Sequence, residues 1–290
     1  MAASLIDGKL IAAQIREEIA AQVSALKKEG IHPCLAVILV GDDPASRTYV
    51  AAKRKASQEV GIRSIQHLLA KDVAEAELMN LIEQLNQNPN VHGILVQLPL
   101  PHHVNEYNII AAISPPKDVD GFHPYNAGRL IAGLDTFIPC TPFGVSQMIS
   151  KGGIETTGKH VVIVGRSNIV GKPLMNLLVQ KSDAANATVT LCHSRTSDIK
   201  AHTQQGDILI AAIGQARFIT ADMVKPGAVV IDVGINRVEE QGKACLVGDV
   251  DFEEVRKVAS RITPVPGGVG PMTVAMLMQN VAKAAGMSGS

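Results

Sequence analysis

The stretch Val161-Val-Ile-Val-Gly-Arg-Ser-Asn-Ile-Val-Gly-Lys-Pro173 decides the fold. Val161, Val162, Ile163 and Val164 are all β-branched, which suits a strand buried on both faces of a parallel sheet. Gly165 breaks that strand, and the apolar run from Leu174 to Val179 then reads as a helix. A strand, a glycine turn and a helix start bring backbone N–H groups and the positive end of a helix dipole to one point. That geometry suits a dinucleotide pyrophosphate. The usual G-x-G-x-x-G spacing becomes here Gly165-x-Ser167-x-x-Val170, with Gly171 one place late. On these residues alone, a plain strand-to-helix turn remains the alternative.

Further apolar strands are predicted over residues 188–192, 208–212 and 229–233, with helical or turn segments between them. This is the pattern of a compact, doubly wound dinucleotide-binding unit. Ahead of it, Ile11, Ile15, Ile19, Val23 and Leu26 mark one face of a helix running from about Asp7, a candidate N-cap, to Lys28. Strands at 35–40, 62–69 and 93–98 then alternate with helices at 45–60 and 75–86. Such alternation predicts a second parallel sheet covered on both faces. Residues 114–142 are crowded with Pro and Gly and read as an ordered connection between domains, followed by a helix at 143–150. A strand-like segment at 262–265 and a helix at 272–285 close the chain, with Met272, Met276 and Met278 read as core filler.

With 290 residues the chain has room for about two domains. Hydrophobic residues make up 46%, enough for full cores, which excludes a disordered chain. Lys plus Arg equals Asp plus Glu at 27 each, so no net field draws the chain to nucleic acid or to a membrane. Aromatics at 3%, with no Trp, argue against base-stacking platforms. The cysteines lie far apart without a CxxC pair, and His102-His103 lacks partners at ligand spacing, so neither a metal site nor a redox motif is indicated. No basic segment followed by an apolar one opens the chain, and no apolar run approaches about 18 residues. The expectation is a reduced, soluble, cytoplasmic protein.

The second strand of the dinucleotide unit ends in His193-Ser194-Arg195-Thr196 rather than in the carboxylate that holds the ribose hydroxyls of NAD. Ser194 and Arg195 suit a 2′-phosphate, and Arg166 in the glycine turn is a further donor to it. This favours NADP over NAD, the alternative being that Ser194 and Arg195 merely cap a turn. In the first half, Tyr49 and Lys53 lie four apart on one helix face, as surface pairs often do. Gln97 stands at the carboxyl end of a buried strand, where ligands of open parallel sheets collect. Asp118 and Asp120 in Lys117-Asp-Val-Asp-Gly121 are compatible with simple turn chemistry.

Five segments in one order change the weight of these observations. They are Tyr49-Val-Ala-Ala-Lys53, Val91-His-Gly-Ile-Leu-Val-Gln-Leu-Pro-Leu-Pro101, Lys117-Asp-Val-Asp-Gly121, Val164-Gly-Arg-Ser-Asn-Ile-Val-Gly171 and Pro264-Val-Pro-Gly-Gly-Val-Gly-Pro-Met-Thr273. Together they resemble the bifunctional methylenetetrahydrofolate dehydrogenase/methenyltetrahydrofolate cyclohydrolase family over essentially the whole chain. The resemblance implies an α/β protein of two domains, each a parallel-type sheet flanked by helices. Residues 1–139 with a C-terminal helix at 272–290 would form the folate-binding catalytic domain, and residues 140–271 a Rossmann-like NADP-binding domain. It further implies NADP-dependent oxidation of 5,10-methylenetetrahydrofolate and hydrolysis of the product to 10-formyltetrahydrofolate, by a homodimer. Lys53, Gln97 and Asp120 become the catalytic candidates. Tyr49, Leu98, Pro266, Gly267 and Gly268 join them as substrate contacts. Gly165, Arg166, Ser167, Ser194, Arg195 and Ile235 are the cofactor contacts. A lysine amine is ordinarily charged at neutral pH, so service as a base needs burial or a neighbouring substrate cation. The rivals are a shikimate-type two-domain dehydrogenase and a non-catalytic nucleotide sensor. The first leaves the Lys117–Gly121 and Pro264–Thr273 segments unexplained, and the second leaves Lys53, Gln97 and Asp120 without a task.

Overall fold

A computed structural model describes residues 2–182, 184–240 and 242–288, and the chain divides into two compact units. The first half runs β1 (Ser4–Leu5), α1 (Gly8–Lys28), β2 (Cys34–Val40), α2 (Pro44–Glu59), β3 (Arg63–Leu69), α3 (Glu75–Gln87), β4 (Gly93–Val96), α4 (Glu106–Ala112) and α5 (Pro124–Ile131). The second runs α6 (Cys140–Lys151), β5 (His160–Val164), α7 (Gly171–Leu178), β6 (Thr188–Cys192), α8 (Ile199–Thr203), β7 (Ile208–Ala211) and β8 (Val229–Asp232). It ends in β9 (Asn236–Glu240), β10 (Lys243–Val247), α9 (Phe252–Val255), β11 (Arg261–Ile262) and α10 (Val269–Ser288).

One unit comprises Ala13–Pro139 and Val274–Ser290. Its sheet is parallel, with strand order β3-β2-β4. The central strand Cys-Leu-Ala-Val-Ile-Leu-Val is buried at every position, as a strand covered on both faces requires. Ala36, Ile38 and Val40 pack with Leu78 and Ile82 of α3 and Ile109 of α4, while α2 lies against β2 and β3. The apolar stripe of α1 is buried at Ile15, Ile19 and Val23, and Met276 and Met278 of α10 are buried as the filler reading expects.

The other unit comprises Met1–Ala12 and Cys140–Thr273. Its six-stranded sheet is parallel throughout, in the order β1-β11-β8-β7-β5-β6. Val162, Leu209, Val230 and Ile262 form the middle of one core face. An antiparallel hairpin, β9-β10, stands outside the sheet.

Several expectations differ from what is found. Residues 1–12 group with the six-stranded unit rather than with residues 13–139, because β1 pairs in parallel with β11 and Ala3 N donates to Arg256 O at 2.8 Å. The segment read as a connection contains a short 3₁₀ turn and α5, and α6 already starts at Cys140. The third strand of the three-stranded unit stops at Val96, leaving Gln97 and Leu98 just beyond the ladder. Among the described residues, no helix is long and apolar enough to cross a membrane.

Candidate active site

In the three-stranded unit the chain passes from β2 to β3 on one side and returns to β4 on the other. The crevice at the carboxyl ends of β2 and β4 is therefore a topological switch point, the usual ligand position in an open parallel sheet. Helix α2 begins right after β2, with Asp43 Oδ2 accepting from Ser46 N at 2.8 Å and Pro44 at its first position. This helix bears Tyr49, 45% exposed, and one turn later the half-buried Lys53. Gln97 extends β4 by donating its backbone N–H to Ile38 O at 2.9 Å. Its side-chain Nε2 donates to Leu98 O at 2.7 Å, which turns Oε1 toward Lys53, whose Nζ donates to it at 3.0 Å. The amide thus has its orientation set by the backbone before any ligand arrives.

Asp120 reaches the same end of the sheet by a different device. A parallel bridge pairs Asp118 with Ile94, so this segment runs beside β4 and Asp120 lies two residues further along. Lys117 anchors it by donating Nζ to the carbonyls of Leu85, Asn86 and Asn88 at 3.0, 2.7 and 2.8 Å, at the C-terminus of α3. Burial holds the Lys117 amine below the usual lysine range. Asp118 is 1% exposed and accepts from the N–H groups of Phe122 and His123 and the amide of Asn126. Burial pushes its carboxyl above the usual range, against those donors. Lys117 and Asp118 therefore build the turn, and the half-buried Asp120 stands two residues beyond the bridge to Ile94.

In the six-stranded unit the chain leaves β5 for β6 on one side and then places β7 on the other, so the switch point lies between β5 and β7. Gly165 sits there with φ 131°, and a Cβ on it would run into the Ala212 carbonyl. A Cβ on Gly171 would likewise strike the Gly165 carbonyl, so this late glycine lets α7 start directly against the turn. Ser167 Oγ accepts from Val170 N at 3.1 Å, leaving Arg166 and Ser167 exposed on the outer side. Cys192 is the register partner of Val164, so Ser194 and Arg195 follow the neighbouring strand end. Their turn is tied by His193 N donating to Thr196 Oγ1 at 3.0 Å and Arg195 N donating to His193 Nδ1 at 3.1 Å. A backbone cradle at a switch point, with exposed cationic and hydroxyl side chains beside it, fits a phosphorylated dinucleotide.

Ile235, Pro266, Gly267 and Gly268 come together in the same unit, lining a cavity of about 160 Å³ with Asp232 and Lys9. The N–H of Lys9 donates to Gly267 O at 3.1 Å, fixing this loop to the start of α1. The residue-level reading passed over His193, Thr196, Asp232 and Asp249. The glycines beside the two aspartates, in Asp232-Val-Gly234 and Gly248-Asp249, were the available signal for a close approach.

Comparisons with known proteins agree with this layout. Residues 6–120 match the catalytic domain of tetrahydrofolate dehydrogenase/cyclohydrolase, and residues 139–288 match its NAD(P)-binding domain. The bifunctional protein FolD of Halalkalibacterium halodurans is 57% identical, over 98% of this chain and 99% of that one. The FolD methylenetetrahydrofolate dehydrogenase/cyclohydrolase of Campylobacter jejuni superposes with TM-score 0.94 at 51% identity, covering 99% of both chains. A Trypanosoma brucei FolD, solved with NADP cofactor and inhibitor, gives TM-score 0.93 at 38% identity, again over 99% of each chain. Shikimate dehydrogenase of Aquifex aeolicus, at 12% identity and TM-score 0.52 over 89% of this chain and 97% of that one, shares the fold alone. The chain belongs to the tetrahydrofolate dehydrogenase/cyclohydrolase family.

Proposed function

We propose that this enzyme oxidises 5,10-methylenetetrahydrofolate with NADP and hydrolyses the methenyl product to 10-formyltetrahydrofolate, with Lys53 as the group dedicated to hydrolysis. The observation that carries the assignment is the 3.0 Å hydrogen bond from Lys53 Nζ to Gln97 Oε1 at a strand-end crevice. NADP, when bound, supplies the acceptor for a hydride leaving the methylene carbon, so that step asks the protein for positioning rather than for a base. Gly165, Arg166 and Ser167 would hold its phosphates, Ser194 and Arg195 the 2′-phosphate, and Ile235 would lie along its other half. The glycine cradle and the exposed donors support this fit, as does the NADP present in the Trypanosoma brucei relative.

Hydrolysis adds water to the cationic methenyl carbon and opens the bond to one folate nitrogen. The water gives up both protons as its oxygen becomes the formyl carbonyl: one goes to solvent, which accounts for the lost positive charge, and one ends on the freed nitrogen. Lys53 moves that proton, with Gln97 holding the amine in place. Asp120 accepts from the amino group and adjacent ring N–H of the pterin, a two-donor edge that matches a carboxylate. Tyr49 covers the ring face. The family resemblance adds Leu98, Pro266, Gly267 and Gly268 as folate contacts. The family resemblance supports a cytoplasmic homodimer, which light scattering on the purified chain would test.

The assay follows NADPH absorbance after mixing methylenetetrahydrofolate with NADP, then the decay of the methenyl chromophore. Lys53→Met is expected to slow hydrolysis roughly a hundredfold or more, the usual worth of proton transfer by a positioned group. It should slow hydride transfer far less. Equal loss of both rates with folate affinity intact would refute a dedicated role for Lys53.

A further inference from the structure

Two enclosed carboxylates stand behind the loop that bears Ile235, and the reactions above give them no task. Asp232, at the end of β8, is 3% exposed, and Asp249 is 0% exposed. Asp232 Oδ1 accepts the backbone N–H groups of Gly234 and Asp249, and its Oδ2 accepts that of Val250, all at 2.9 Å. Asp249 Oδ2 accepts the N–H groups of Ile213 and Gly214 at 2.6 and 2.9 Å, and its Oδ1 accepts the Asn236 amide at 2.9 Å. The donors come from the loop after β7, the loop after β8, the first residue of β9 and the segment after β10. Space is matched to the same purpose. A Cβ on Gly234 would run into the Asp249 carboxylate, and one on Gly248 into that of Asp232.

Enclosing two carboxyl groups in one place is a costly way to close a loop. What a carboxylate offers in return is acceptor capacity in several directions with no donor to misplace. It can therefore fix several converging N–H groups at once. The loops fixed here lie at the carboxyl ends of β7 and β8. In the sheet order β8-β7-β5-β6, the phosphate cradle is at β5 and β7 and the 2′-phosphate turn at β6. The opposite half of a bound dinucleotide must then extend over β7 and β8.

We propose that Asp232 and Asp249 are positioning residues for the nicotinamide half of the cofactor, locking the loops at 213–214 and 234–236 that wall its subsite. The adenosine half, held at residues 165–167 and 193–195, lies outside their reach. This rests on the NADP reading above. Asp232 also lines the cavity shared by Ile235 and Gly267, which connects the clamp to that wall.

The test compares whole-cofactor and half-cofactor binding by calorimetry, using NADP and adenosine 2′,5′-bisphosphate. Asp249→Asn keeps the shape but points an NH₂ at a donor. Its NADP Kd is expected to rise at least about tenfold, while that of adenosine 2′,5′-bisphosphate changes less than about twofold. Hydride-transfer kcat should fall along with the rise in KM. Equal weakening of both ligands would reveal general damage to the sheet and overturn the proposal, as would unchanged NADP affinity. Should Asp249→Asn not fold, Asn236→Ala removes one donor only and carries the same comparison, with about a three- to tenfold loss for NADP expected. If the unaltered enzyme bound neither ligand, the NADP reading itself would fail, an outcome distinct from the others.

Discussion

Ser194 and Arg195 project from a turn whose own hydrogen bonds are made by His193 and Thr196. The turn does not need the arginine side chain, so Arg195→Ala changes the ligand surface more than the fold. A charge-assisted hydrogen bond contributes about 1.5–3 kcal/mol, so the variant should bind NADP roughly ten- to a hundredfold more weakly and leave NAD almost unaffected. Titration of the two dinucleotides against the variant checks this, and an unchanged NADP/NAD ratio would remove Arg195 from the 2′-phosphate site. At this scale the sequence was informative about residue types but not about their support. An Arg and a Ser at a strand end suggest phosphate by chemistry alone. That His193 accepts the Arg195 N–H through Nδ1 depends on a side chain folding back on its own turn, which no spacing rule exposes. The Lys53–Gln97 bond joins residues 44 apart in sequence, and only the adjacency of β2 and β4 brings them together.

At the scale of elements, the Lys117-Asp-Val-Asp-Gly121 segment shows how one short stretch does two jobs. Its composition reads as a turn, and a turn it is, but Lys117 also closes α3 by donating its Nζ to three carbonyl oxygens at that helix's end. A cation there satisfies orphan carbonyls and opposes the helix dipole. Lys117→Met should therefore destabilise the protein by about 2 kcal/mol or more, seen as a lower urea midpoint, and should weaken folate binding because Asp120 loses its anchored base. Wild-type folate affinity at reduced stability would separate Asp120 from the anchor. Long periodic elements were legible for a physical reason: α1 and β2 each bury a continuous apolar pattern. The elements that were missed lack such a pattern. Helix α5 spans 8 residues in a Pro- and Gly-dense stretch, β1 is two residues long, and β9 reads Asn-Arg-Val-Glu-Glu, with charge where a strand signal was sought.

For the molecule as a whole, the buried aspartates give stability a dependence on pH that the overall charge balance does not suggest. Burial, reinforced by the charge of Asp249, pushes the Asp232 carboxyl up to about 7 against the N–H groups that favour its ionised form. A carboxyl raised in the folded state contributes stability that is fully present below its unfolded value and is lost as pH rises through the folded one. For Asp232 that window runs from about 4 to about 7. The shift from 3.8 corresponds to something on the order of 4 kcal/mol across it. Burial of His92 acts the other way, since its depressed imidazole contributes stability that is lost as pH falls. Asp207, held down by its hydrogen bond from Lys225, likewise favours the folded state until acid protonates it. The decisive measurement is therefore a difference. Urea unfolding of the wild type and of Asp232→Asn, followed by circular dichroism at half-unit steps from pH 4.5 to 7.5, cancels the His92 and Asp207 contributions. The wild type should lose stability relative to the variant steadily as pH rises through this range, whatever the offset between them at pH 4.5. Parallel curves would mean that Asp232 stays ionised throughout, with its backbone donors outweighing its burial.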